Sequence, residues 1–560
     1  MFARSSARCA MRARIASPIP RHSFISQAGR FQRRRYSGGS AGGSSSSSAA
    51  ASGSAKMSSI GALAPFASEL DKIAPSFDIK GEQIRIIKTP EDFYETLKNR
   101  IRNAKRRIFL STLYIGKSER ELLDTLRAAL RANPDLTLHI LTDCLRGTRE
   151  APDPSCASLL APLVEEFGGG RVEVRMYHTP NLTGLRKRHV PRRINEGWGL
   201  QHMKLYGVDD EVIMSGANLS ADYFTDRQDR YHMFSSAEVT EHFWRIHRAV
   251  GEFSFLVTAS TDRAGFELSW PETNSAPSPL EDPAAFVKST TSTLRPLICP
   301  PPAAAATTKP VAPEFSDTRV YLLGQMSQVM TPDASTELPA MTHILRTLST
   351  PSYKGSSWTF TAGYFNPDPA LTNLLLSTAS TSTSPDHNDG GSGTGSGRKV
   401  NTVITAAPEA NGFYKSPGVS GMLPEAYTLL ARRFLDAVRS ADRAADISLR
   451  EWRRGTVGQP GGWSYHAKGL WVTLPGEAHP SLSIVGSSNY TKRSYSLDLE
   501  TGALVLTRDE GLKKRLGEEQ AWLMDDAREV GRDDFAANER RVGLKVRIAM
   551  WIVSIVGGAL

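Results

Sequence analysis

Gln201-His202-Met203-Lys204-Leu205-Tyr206-Gly207-Val208-Asp209, followed by Ser215-Gly216-Ala217-Asn218-Leu219-Ser220, has a second version further along the chain. There Tyr465-His466-Ala467-Lys468-Gly469-Leu470-Trp471 precedes Val485-Gly486-Ser487-Ser488-Asn489-Tyr490-Thr491. Each copy reads His-x-Lys, then a small-residue turn, then Asn, then an acid eleven residues after the Asn: Asp229 and Glu500. The His-to-Asn spacing is 16 in the first copy and 23 in the second, and the surplus fits a longer hairpin through Pro475, Gly476 and Pro480. One His-x-Lys alone is more often surface than site. Two, with Asn and an acid in matching order, point to a duplicated active site.

The residue types suit phosphorus chemistry. Residues two apart on a strand share a side, so the His and Lys of each copy face one cavity. A glycine ahead of each Asn permits close backbone approach. Paired about a pseudo-twofold axis, two such units converge two His, two Lys and two Asn. Neutral imidazole can attack phosphorus while a second imidazolium protonates the leaving oxygen. Ammonium and amide groups stabilise the non-bridging oxygens as charge builds. No metal and no cofactor is required.

Working outward, short β-branched runs alternate with helical patterns. Arg85-Ile86-Ile87 leads to a helix start at Pro90-Glu91-Asp92. Ile108–Leu113 reads as a buried strand, 118–132 as a helix and Leu136–Leu141 as the next strand. The order recurs with Val320–Leu323, helices near 335–348 and 369–377, and strands at 358–361 and 400–404. The expected fold is therefore α/β: two similar α/β domains related by a pseudo-twofold axis, with the site at their interface.

Composition sets the boundaries. Of the 68 Lys and Arg residues in 560, ten precede Glu69, the first acid; without them bases equal the 58 acids, so the net charge of +10 resides in the leader. Residues 1–36, rich in Arg, Ser and Ala, read as a mitochondrial transit peptide, with chloroplast import as the rival. Residues 37–77 read as a flexible Ser/Gly/Ala-rich spacer, 78–271 as the first domain and 272–316 as a Pro-rich linker. Residues 317–535 form the second domain, with a disordered insertion at 376–398, and 536–560 a basic and apolar tail. That tail fits either an anchor at a membrane surface or a last core helix. Internally no apolar run reaches the length of a spanning helix, and four scattered cysteines indicate neither zinc nor a disulfide framework.

The repeat resembles the phospholipase D superfamily, whose motif His-x-Lys-x4-Asp occurs twice per site. Gly199–His202, Ser215–Ser220 and Tyr223–Tyr231 resemble more closely the mitochondrial phosphatidylglycerophosphate synthases within it, as do Tyr465–Trp471, Leu141-Thr142-Asp143 with Arg146-Gly147, and Thr361–Asn366. The likeness runs from about residue 80 to 530. It implies two phospholipase D-like domains and a transfer of the phosphatidyl group from CDP-diacylglycerol to glycerol 3-phosphate through a phosphohistidine. The products are phosphatidylglycerophosphate and CMP, the committed step toward phosphatidylglycerol and cardiolipin. In this reading His202 is the nucleophile and His466 the acid and base. Lys204, Lys468, Asn218 and Asn489 complete the site with Asp209, the acid of the first motif; Thr473 stands at its counterpart in the second. Asp229 and Glu500 orient the imidazoles.

A phosphorylated acceptor needs further cations. Arg146, Arg149, Arg192, Arg193 and Arg493 are candidates, and Arg186, Lys187 and Arg188 belong to the same basic cluster. That cluster equally suits a solvated charge run or contact with anionic lipid. The implied location is the matrix face of the inner mitochondrial membrane, with peripheral membrane contact and no nucleic-acid partner. Rival readings are a superfamily enzyme using serine, phosphatidylglycerol or water as acceptor, a nucleic-acid phosphodiesterase, and a non-catalytic binding module. The neutral balance beyond the leader argues against the second; intact His and Lys in both copies argue against the third.

Overall fold

The computed structural model describes residues 59–191, 194–300, 317–378 and 401–555. The transit peptide, nearly all of the 376–398 insertion, Arg192 and Arg193 lie outside the described residues. The described residues form one compact unit.

Two nine-stranded sheets carry the duplication. In the first, Arg107–Ser111 is flanked on one side by parallel Thr137–Asp143 and then Val172–Tyr177. On its other side run antiparallel Leu205–Val208, Glu211–Ser215, Tyr231–Ser235 and Ile84–Ile87. In the second sheet Ser357–Ala362 takes the central place, with parallel Asn401–Ala406 and Ile447–Trp452 on one side. Antiparallel Lys468–Thr473, Leu482–Gly486, Glu500–Thr507 and Thr318–Gln325 follow on the other. The seven-strand order is the same in both, and each His-x-Lys enters the strand beside the centre. Burial explains why these strands read as near-continuous apolar runs: helices cover the faces, and Leu205–Val208 and Lys468–Thr473 are buried throughout.

Two segments expected as spacer and linker hold packed elements. The 37–77 spacer contains a helix, Ser59–Ile73, whose buried Phe66 and Leu70 pack with the helix Glu337–Leu348 of the second half. Ser76–Ile79 then adds an antiparallel strand to Thr318–Gln325, so chain from before the first sheet completes the second. The 272–316 linker contains the helix Pro283–Ile298. Asp282 caps it by accepting from Ala284 and Ala285 N–H, and Pro283 suits the first turn, where no donor is needed. Phe286, Thr290, Leu294 and Leu297 share one buried face at helical spacing, so proline content concealed a packing element. In the tail, Leu544–Ile555 is a helix with Val546 buried. Among the described residues no helix is long and apolar enough to cross a membrane.

Candidate active site

Each histidine sits where its own sheet meets a strand end of the other half. His202 N–H donates to Leu499 O at 2.9 Å, and Leu499 N–H to Leu200 O at 2.8 Å. Reciprocally, Ser464-Tyr465 pairs in parallel with Arg227-Gln228, and His466 N–H donates to Gln228 O at 2.8 Å. The next residues along the partner strands are Glu500 and Asp229. Their carboxylates therefore reach across the interface. His202 Nδ1 lies 2.9 and 3.0 Å from the two oxygens of Glu500; His466 Nδ1 lies 2.7 Å from Asp229 Oδ2. The expected orienting acids are present, and each serves the other half's imidazole.

The supporting groups fix these pairs. Ser487 Oγ donates to Glu500, and Arg230 N–H donates to Asp229 Oδ1 at 2.8 Å. Asp143 accepts from Gln201 N–H at 3.0 Å and from Arg146 N–H at 2.8 Å, holding the residue before His202 against the third strand's end. A Cβ on Gly216 would meet Asp229 oxygens and Lys468 Nζ at 2.8 Å, which is why a glycine stands there.

Lys204 and Lys468 are fully buried and do not line the cavity. Each ammonium folds back onto the carbonyl of its own histidine, at 2.7 and 2.9 Å. Lys468 Nζ also lies 3.7 Å from Asp229 Oδ2. The two lysines thus sit beneath the floor of the site. Burial lowers Lys204 to about 7, aided by the Lys468 charge, and Lys468 to about 8. Burial raises Glu500 to about 7 and pushes Asp229 up. It also holds both imidazoles well below their ordinary range, with the neighbouring lysines contributing. Two neutral imidazoles therefore face the cavity near neutral pH.

That cavity, of about 430 Å³, is lined by His202, His466, Asn218, Asn489 and the arginines 146, 149, 227 and 493. The two asparagines each carry a buried amide oxygen without a partner among the described residues. Arg149 forks onto Glu196 at 2.5 and 2.7 Å, and Arg493 pairs with Asp498 at 3.0 Å. Arg146 is held by the Tyr114 ring at 4.0 Å and more loosely by Glu150 at 3.3 Å. Three of the five expected arginines thus reach the cavity. Arg186, Lys187 and Arg188 form the short helix Gly184–His189 and do not line it.

One expected residue leaves the site altogether. Asp209 terminates the strand after His202, at the end away from the cavity, with a left-handed φ of 53°. Its carboxylate accepts from the N–H groups of Lys105, Arg106 and Arg107 at 2.9, 2.8 and 3.2 Å. The acid of the first motif is a turn cap, and Thr473 replaces it where the second sheet needs none. The real acids are the ones eleven residues past each Asn.

Sequence reasoning missed the tyrosines and Arg227. Tyr223 Oη accepts from Asn218 Nδ2 at 3.1 Å and lies 3.4 Å from His466 Nε2. Tyr223 and Tyr364 both meet the His466 ring edge-on, at 5.2 and 5.3 Å. Arg227 stacks over Tyr223 at 4.5 Å, bonds Ser464 Oγ and pairs with Asp222 at 2.9 Å. The signal was at hand in Tyr223–Tyr231, quoted above only as a likeness.

Behind the second histidine lies a buried network. Arg230, 1% exposed, donates to Ile484 O at 2.6 Å and to Glu519 at 3.0 and 2.8 Å, over the Trp471 ring at 3.7 Å. Glu519 also bonds Trp471 Nε1 and His232 Nε2, both at 2.9 Å. A first-half arginine is thereby locked into the second half.

Comparison with known proteins bears on this geometry. No family model matches the chain. The Saccharomyces cerevisiae protein named CDP-diacylglycerol–glycerol-3-phosphate 3-phosphatidyltransferase is 41% identical, over 88% of this chain and 92% of its own. The Schizosaccharomyces pombe protein of the same name is 39% identical, over 81% and 90%. The human mitochondrial protein of that name is 32% identical, over 85% and 83%. Among solved structures, phosphatidylserine synthase from Haemophilus influenzae superposes with a TM-score of 0.61 at 19% identity, covering 88% of this chain and 97% of that one. That likeness establishes the fold, two phospholipase D-like halves.

Proposed function

The chain belongs to the CDP-diacylglycerol–glycerol-3-phosphate 3-phosphatidyltransferase family, and from that premise we propose how its residues move the phosphatidyl group. The enzyme transfers that group from CDP-diacylglycerol to glycerol 3-phosphate, releasing CMP. His202 Nε2 attacks the phosphorus that carries diacylglycerol. The P–O bond to CMP breaks, and His466, protonated at Nε2 once the negative phosphates of the substrate fill the cavity beside it, gives that proton to the departing CMP oxygen. A glycerol 3-phosphate hydroxyl then attacks the phosphohistidine, losing its proton to His466. The new P–O bond replaces the P–N bond, and phosphatidylglycerophosphate leaves with both histidines restored.

One observation supports the division of labour. Among the described residues His202 Nε2 has no hydrogen-bond partner, whereas His466 Nε2 lies beside Tyr223 Oη and Lys468 Nζ. A free lone pair suits the nucleophile; a nitrogen held among proton-bearing groups suits the acid and base. Glu500 fixes the His202 tautomer with the proton on Nδ1, and Asp229 stabilises the imidazolium of His466. The buried lysines place positive charge under the phosphoryl oxygens. Arg146, Arg149, Arg227 and Arg493 offer guanidinium forks to the acceptor phosphate, Arg146 with the weakest existing pair.

The mammalian relatives are named mitochondrial. We place this enzyme at the matrix face of the inner membrane, in contact with anionic lipid and not nucleic acid, on the strength of the acid-free leader and the lipid substrate. An assay with CDP-diacylglycerol and a panel of acceptors tests the function. CMP release should depend on glycerol 3-phosphate; dependence on serine or water instead overturns the reading. Acid-labile, base-stable label on His202 after reaction without acceptor tests the intermediate, and label on His466 reverses the roles.

A further inference from the structure

We infer that the rim of the catalytic cavity is a bilayer-docking surface built from both halves of the chain. It would seat the site on an anionic lipid face while the acyl chains stay in the membrane. This rests on the lipid-transfer reading above and says where the lipid comes from.

The large apolar side chains most exposed to solvent among the described residues are Leu185, Ile194, Val419, Leu544, Ile548 and Trp551, each 49–76% exposed. Singly exposed apolar residues need no explanation; these fall in three segments, each linked through its neighbours to residues that line one cavity. The segment holding Leu185 and Ile194 is rooted by Leu182, Val190 and Trp198 on a small apolar cluster with Leu145, Leu113 and Leu200. Leu113 and Leu200 line the cavity. Val419 lies in the turn Gly418–Met422, between Phe413 and Leu423, which line the same cavity. The helix Leu544–Ile555 is tied to the same place, for Gly543 N–H donates to Glu425 Oε2 at 2.9 Å, in the first turn after Leu423. Leu544, Ile548 and Trp551, spaced i, i+4, i+7, form one face of that helix, and this face is turned outward.

Charge selects the occupant. Segments 184–194, 415–420 and 541–551 contain no acid, and Arg186, Arg188, Lys415, Lys545 and Arg547 are exposed. Apolar side chains among bases suit a surface with an anionic headgroup layer over hydrocarbon. The cavity itself argues the same way. Its four arginines, two histidines and two asparagines suit phosphates, and its volume of about 430 Å³ leaves no room for two acyl chains as well. Those chains must remain outside the mouth, in hydrocarbon that meets the rim.

The test is flotation of the full chain with phosphatidylcholine vesicles, with and without phosphatidylserine. The comparison uses Leu185→Glu/Ile194→Glu and Leu544→Glu/Ile548→Glu, none of which touches the cavity. Each pair should weaken binding to the anionic vesicles about tenfold or more. With detergent-dispersed CDP-diacylglycerol each should keep the wild-type rate. Unchanged vesicle binding in either pair overturns the two-part surface. So does a dimer, by light scattering, that dissociates in the variants, since the rim is then covered by a second copy. Failure of the transferase reading would look different: normal vesicle binding by the wild-type chain without glycerol 3-phosphate-dependent CMP release.

Discussion

His202 and His466 hold matching places in sheets of the same strand order, yet they are equipped differently. His202 is held by both oxygens of a glutamate that Ser487 also supports, and its Nε2 faces the cavity without a partner among the described residues. His466 is held by the shorter Asp229, with Lys468 and Tyr223 close to its ring. Five residues past each asparagine, the first half has Tyr223 and the second has Ser494, which receives the backbone N–H of Asn489 and bonds Thr491 Oγ1. After each orienting acid, the first half has Arg230, sunk into the other sheet, and the second has Thr501. The difference teaches that duplication preserved the frame while single residues around it made the two imidazoles unlike, and the proposed split into nucleophile and acid/base rests on that.

The strongest way to break that comparison is to remove each imidazole. His202→Ala and His466→Ala should both lower transfer by about a thousandfold or more. Only His466→Ala should still accumulate labelled enzyme, from a substrate whose leaving group needs no proton. Rapid-quench labelling decides it; equal behaviour means the halves are interchangeable. The orienting acids come next. Glu500→Gln should slow labelling and Asp229→Asn should slow discharge to acceptor, each by about a hundredfold or more, as single-turnover kinetics would show.

Arg230→Met removes one partner of a buried pair and should cost about 3–5 kcal/mol in denaturant unfolding. Arg230→Met/Glu519→Gln should recover part of this, because no uncompensated carboxylate remains, while Thr501→Ala should change stability little. The pH profile sharpens the comparison in another way. Glu500, raised to about 7, must be ionised to hold His202, so kcat/KM should rise through that region. Lys204, lowered to about 7, loses its charge over the same region and Lys468, lowered to about 8, just above it, so kcat/KM should pass through a narrow maximum and fall on the alkaline side. Lys204→Arg should move that fall to higher pH. The smallest catalytic effect is expected at Asp209: Asp209→Ala should leave transfer within about twofold and lower stability by about 1–2 kcal/mol through lost backbone bonds.

Much of the fold was legible because its signals are local. The helix expected at 369–377 is Pro369–Ser377, and the strand expected from 400 is Asn401–Ala406. Motif order alone brought together the histidines, asparagines and acids. What was not legible depends on contacts distant in sequence. No spacing reveals that Asp229 serves His466, since that follows from Gln228 pairing with Tyr465 across the interface. Asp209 misled because strand alternation says which face a residue takes but not which end of the strand carries the chemistry. The 283–298 helix was concealed by its prolines: Pro283 sits at the first turn, where proline costs little, but Pro296 lies inside the helix, where proline ordinarily argues against one.

The crossed hydrogen bonds have a consequence for how this chain tolerates damage. A duplicated gene ordinarily holds a spare, so that a lesion in one copy leaves the other at work. Here each half has surrendered to the other the acid that aims its imidazole, at 2.7 Å in one direction and 2.9 Å in the opposite one. Losing Asp229 disarms a histidine 237 positions away, and losing Glu500 one that lies 298 positions away. On the proposed roles the repeat provides no redundancy: two copies of the motif make a single point of failure.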